Sequence, residues 1–147
     1  MCVNQVAILY PVFVQVLLTF IVLIALAVAR GRAIRKIDGG RGNAELGMGR
    51  VAWPDDAQKR AANLRNQFEL PVLFYILVAF ALIVKGADAI MLVLAWLFVL
   101  TRLVHAAIHV GPNDVRWRTP AFALGCLLLM IMWVKLAIHV VTAGVVA

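Results

Sequence analysis

Two short runs of the 147-residue chain hold residues able to do chemistry. Arg65-Asn66-Gln67-Phe68-Glu69 sets a cation, an amide and an acid within about one helical turn, and Arg102-x-x-His105-x-x-x-His109 sets a cation and two imidazoles at i, i+3 and i+7. At about 100° per residue the last three fall within about 60° of one another on a helix, so they form one stripe. Arg30, Arg116 and Arg118 add further cations in nearby segments. An acid answers a cationic group on a ligand, and guanidinium groups answer anions. A metal centre is not expected: no second set of His, Cys, Asp or Glu has ligand spacing, and Cys2 and Cys126 lie at opposite ends without a CxxC.

The elements that position these residues follow from composition. With 65% hydrophobic residues, 14% charged and mean hydropathy +0.98, a chain this short is one polytopic membrane domain. The net charge of +7 does not indicate a nucleic-acid binder, because the basic residues alternate with apolar spans and form no solvated patch on a recognisable binding fold. Spans are expected at about 6–29, 68–84, 89–108 and 120–141, with a connection over 30–65. The first is too long for an ordinary signal-peptide core, and Met1 to Gln5 carries no positive charge, so it is read as a span.

Within the connection, 38–53 is rich in glycine and reads as irregular, and Asp55 with Gln58 has capping-box spacing for a helix running into span two. Pro71 is expected to kink that helix, since it cannot donate to the Gln67 carbonyl. The apolar part of span two, Leu70 to Val84, is about 15 residues where a crossing needs about 20, which draws Glu69, Asn66 and Arg65 to the hydrocarbon edge. Polar groups there are costly unless they face the bundle interior and are paired, and Glu69 is expected to be the most buried acid. Lys85-Gly86-Ala87-Asp88 closes a helical hairpin.

Of 14 Lys and Arg, nine lie from Arg30 to Arg65 and three from Arg102 to Arg118, which by charge bias puts both connections in the cytosol and both termini outside it. Arg30, Arg65, Asn66, Glu69, Arg102, His105, His109, Arg116 and Arg118 then converge on one membrane face. Plainer uses exist for each. The Arg30 to Lys36 cluster suits headgroup anchoring, Glu69 could simply pair with Arg65, and the imidazoles could satisfy a helix end. Lys135 and His139 share a face of span four at i, i+4, with no assigned function.

Arg65-Asn66-x-x-Glu69-x-Pro71, Arg102-x-x-His105-x-x-x-His109 and Ala29-Arg30-Gly31-Arg32-Ala33 resemble the MAPEG family, membrane-associated proteins in eicosanoid and glutathione metabolism, in a bacterial-type member. The resemblance implies an all-α, four-helix antiparallel bundle assembled as a homotrimer in the bacterial inner membrane. Glutathione would be a co-substrate held between subunits at the cytosolic face, with a lipophilic small molecule arriving from the lipid bilayer. It also implies ligand contacts at Arg30, Asn66, Glu69, Arg102 and His109, with Arg65 and His105 beside them, and a thiolate-stabilising role for Arg116 or Arg118. The reaction class so implied is transferase or peroxidase chemistry like that of the microsomal glutathione transferases. Two positions depart from the pattern. Ala62 stands where the family has arginine, with Arg65 or Arg60 as nearby substitutes, and His109 stands where tyrosine is frequent. A non-catalytic lipid-binding or scaffold protein of the same fold is the alternative; a transporter ranks third, because no polar path crosses to the other face.

Overall fold

The computed structural model describes residues 5–36, 52–111 and 115–146. It is helical throughout, with no strand among the described residues. After a 3-10 turn, Gln5–Ile8, come α1 (Leu9–Lys36), α2 (Asp55–Gln67), α3 (Leu70–Ile83), α4 (Ala89–Val110) and α5 (Val115–Val146). Four stretches are long and apolar enough to cross a membrane: Gln5–Lys36, Asp55–Ile83, Ala89–Val110 and Arg116–Ala143.

The first helix runs seven residues beyond the expected end at 29. Ala29 and Ala33 are buried on it, and Arg35 and Lys36 occupy its last turn, where cations favour the negative end of the helix dipole. The expected connection over 30–65 is therefore helical at both ends, and most of the glycine-rich 38–53 lies outside the described residues. The helix of the fourth span, α5, starts at Val115 rather than 120 and contains Pro120, which cannot make the helical bond to the Arg116 carbonyl.

The capping box does not form. Pro54 is the N-cap of α2 and makes no side-chain capping bond, while the Gln58 side chain reaches back to donate to the Trp53 carbonyl. Asp55 and Asp56 still sit in the first turn, where acids suit the dipole, and Asp56 pairs with Arg60 at 3.0 Å. Span two is broken rather than kinked. At Phe68 the N–H closes back on the Arg65 carbonyl at 2.9 Å, Glu69 leaves the helical region at φ −95°, ψ −96°, and α3 restarts at Leu70. Pro71 thus stands in the first turn of a new helix, where a missing N–H costs little.

Glu69 is exposed in the single chain, contrary to the expectation that it would be the most buried acid, because the break puts it between two helices instead of inside one. Arg65 is exposed too, and no ion pair joins the two among the described residues.

The apolar core fills the hairpin half of the bundle. Phe74 and Leu77 of α3, Phe98 and Met91 of α4, and Met132 of α5 are fully buried, and the rings of Phe74 and Phe98 stack at 4.7 Å. The other half has a small apolar cluster, Leu18, Val22 and Ala106 with Leu64 against it, and beside it a chain of polar groups. Gln15 of α1 donates to Gln67 at 2.9 Å, Gln67 to Asn63 at 3.5 Å, and Asn63 to the Ala106 carbonyl at 3.5 Å, all of these side chains being buried. In an apolar solvent such a chain of amides fixes register between helices, since an unmade bond has no water to replace it.

Candidate functional site

At the polar end, α2, α4 and α5 enclose a pocket of about 590 Å³, open on one side. Gln58, Ala62 and Asn66 follow one another down a single face of α2, Glu69 stands at the break beyond its end, and Lys59 lies beside them at the rim. From α4 come His105 and His109, and from α5 Arg118, Thr119 and Phe122.

His105 ties the three helices together. Its Nδ1–H donates to the Arg118 carbonyl at 3.2 Å, so in the neutral ring Nε2 is an acceptor, and the Asn66 amide lies 3.1 Å from it. The ring also packs 5.6 Å from Phe122 and 5.9 Å from His109, and both imidazoles are buried.

Arg102 is 2% exposed and lies beneath the pocket instead of lining it. Its Nη2 donates to the Ala121 carbonyl at 3.0 Å and the Phe122 carbonyl at 3.3 Å, and the guanidinium packs over the Phe98 and Phe122 rings at 5.6 and 5.1 Å. Gly125 makes this approach possible: a Cβ there would lie 2.7 Å from Thr101 Oγ1 and 2.9 Å from Arg102 Cζ. Arg102 is therefore a clamp between α4 and α5 that sets the floor of the pocket.

Of the residues expected to converge, Asn66, Glu69, His105, His109 and Arg118 line one cavity. Arg30, Arg65 and Arg116 are exposed and do not line it in the single chain, and Arg30 sits over the Trp53 ring at 5.1 Å. Arg60, considered as a substitute at Ala62, pairs with Asp56 and borders a different, apolar groove with Asn63, Leu18 and Val22. The cation that faces the pocket from α2 is Lys59, which sequence reasoning passed over although it stands seven residues before Asn66, on nearly the same face. Among the described residues no group of three or more His, Cys, Asp and Glu could hold a metal ion.

A bundle of four membrane-crossing helices with a polar, mixed-charge pocket at one end defines an integral multi-pass membrane protein with a ligand-sized cavity at its boundary. The sequence matches the MAPEG family over residues 8–138, most of the chain, and the protein belongs to that family. No curated protein and no solved structure matches it.

Proposed function

We propose that the protein is a membrane enzyme that joins glutathione, or another small thiol, to a lipophilic electrophile or uses it to reduce a lipid hydroperoxide, in the manner of the microsomal glutathione transferases. The observation that carries this reading is the charge set of the pocket: one acid, Glu69, with two cations, Lys59 and Arg118, around the Asn66–His105 pair. Glutathione has one ammonium, two carboxylates and a thiol, and those groups call for one acid and more than one cation. A cavity of about 590 Å³ is of ligand-binding size.

Glu69 would receive the ammonium, and Lys59 a carboxylate at the place where the family arginine is replaced by Ala62. Arg118 would hold negative charge at the sulfur, which lowers a thiol pKa from about 8.5 toward neutrality and makes it a nucleophile without a protein nucleophile. Phe122 supplies an apolar wall from which a lipophilic partner reaches the thiol out of the bilayer.

Arg30 and Arg65 stand outside the pocket in one chain. In the homotrimer that the family resemblance implies, a neighbour would close the open side and could bring such an arginine to it. Orientation belongs to the same reading: the pocket faces the cytosol of a bacterial inner membrane and both termini lie outside.

Ala62 also supports a second reading, a lipid-binding protein of the same fold without thiol activation, since it leaves an apolar surface in the pocket wall where the family pattern has a cation. The two separate in one assay. Protein in lipid nanodiscs is incubated with glutathione and a nitro-activated aryl halide, and thioether product is followed by mass spectrometry. The enzyme reading predicts product formation that Arg118→Ala abolishes or strongly reduces. Absence of product with glutathione and with other small thiols would leave the lipid-binding reading.

A further inference from the structure

Lys135 and His139 lie in span four at the opposite end of the bundle from the pocket, and the structure shows what surrounds them. Lys135 Nζ meets Asp88 Oδ2 at 2.6 Å, and His139 donates through Nε2 to the Val84 carbonyl at 3.1 Å. Both partners belong to the hairpin turn between α3 and α4, so the two side chains stand at the level of the membrane boundary on that side. Both also line an open furrow of about 590 Å³ on α5.

The furrow is graded along the helix. Met130, Val134 and Ile138 form its apolar length, Lys135 and His139 its polar shoulder, and Thr142 its outer end. From Met130 to Thr142 is about 18 Å at 1.5 Å per residue, with the apolar end toward the bilayer centre. This is the polarity order of an amphiphile lying along the helix.

Charge identifies the headgroup. Around the turn stand Lys85 and Lys135, with the His139 imidazole beside them, and Asp88 is the only Asp or Glu there among the described residues. Asp88 is already engaged as the cap of α4, its Oδ1 accepting from Met91 N–H at 2.9 Å. It takes one of the three ammonium protons of Lys135, and His139 Nδ1 makes no hydrogen bond among the described residues.

We propose that this furrow is a binding site for an anionic phospholipid of the leaflet at the hairpin end, with an acyl chain along Met130, Val134 and Ile138 and the phosphate at Lys135 and His139. The site is independent of the polar pocket and of the thiol chemistry proposed for it.

Native mass spectrometry of protein released from nanodiscs holding equal phosphatidylglycerol and phosphatidylcholine tests it. The wild type retains phosphatidylglycerol preferentially, by about fivefold for each cationic contact at the surface. Lys135→Ala with His139→Gln removes the preference, and Asp88→Asn increases it, because the amide keeps the cap oxygen while the competing charge is gone. Asp88→Asn keeps the test open if the double variant does not fold. No headgroup preference in the wild type, an unchanged preference in the double variant, or a preference that falls in Asp88→Asn overturns the proposal. So does a wild-type oligomer that comes apart in the double variant without any lipid selectivity, which would mean that a second copy covers the furrow.

Discussion

The amide nitrogen of Asn66 lies 3.1 Å from Nε2 of His105, an imidazole whose other nitrogen is committed to the Arg118 carbonyl. One side chain thus fixes the three helices that wall the pocket. With His105 4% exposed, water does not readily replace either bond.

His105→Phe keeps the ring volume and removes both bonds, so that α2 and α5 lose their shared tie to α4. Thermal unfolding in detergent should show a loss of about 1–3 kcal/mol. In a double-mutant cycle with Asn66→Ala the two losses should be less than additive. Strict additivity would mean that the two residues do not act together.

Gly125→Ala adds one methyl group where the Arg102 guanidinium and the Thr101 hydroxyl already stand. Overpacking of this kind costs about 1–3 kcal/mol, and the unfolding temperature should fall accordingly. Gly31→Ala, where a Cβ meets nothing within 4 Å, is the control and should leave stability unchanged or slightly raised. Equal behaviour of the two variants would contradict the clamp assigned to Arg102.

Asp88 gives a pH dependence with a definite sign. Burial raises its carboxyl pKa, but the hydrogen bond from Lys135, the Met91 N–H, the charge of Lys135 and the Ile90 N–H outweigh it, and the net value lies below the usual 3.8. Its contribution to stability is therefore complete above about pH 4 to 5 and is lost as pH falls through the folded-state value. The difference in unfolding temperature between wild type and Asp88→Asn should be constant near neutrality and close in acid. The carboxylate is half exposed, so the effect should stay below about 1 kcal/mol. A difference that widens in acid would reverse the sign of this account.

Orientation is testable with single cysteines in a Cys2→Ser, Cys126→Ser background. At Lys85 a cysteine should react with a membrane-impermeant maleimide in intact cells, and at Lys36 it should not. The opposite pattern would place the polar pocket outside the cytosol.

The fold was largely readable from the sequence because four apolar runs and one four-residue hairpin leave few ways to cross a membrane. The stripe of Arg102, His105 and His109 was readable because helical spacing is rigid. The break at Phe68–Glu69 was not. Pro71 signals a disturbance, but a proline is compatible with a kinked helix or with the first turn of a new one, and only the surrounding packing decides between them. Glu69 was misplaced for the same reason. Lys59 was hidden among the charges of an exposed-looking helix, since single-residue polarity does not say which face turns toward a pocket. The Gln15–Gln67–Asn63 chain carried a usable signal, amides at mid-span in apolar or half-apolar helices, that pointed inward rather than to the site. The separate fates of Arg102 and Arg118, one under the pocket and one lining it, depend on Gly125, whose effect appears only once α4 and α5 are packed.

The central claim is that this pocket holds a small thiol through Glu69. Isothermal titration calorimetry of the nanodisc-embedded protein with glutathione measures it directly. The account predicts saturable binding, weakened in Glu69→Gln by about 1.5–3 kcal/mol, the worth of a charged hydrogen bond, with the unfolding temperature of the ligand-free variant unchanged because Glu69 is exposed and makes no ion pair among the described residues. Wild-type protein that binds neither glutathione nor any other small thiol, or a Glu69→Gln variant that binds glutathione as tightly as wild type, would contradict it.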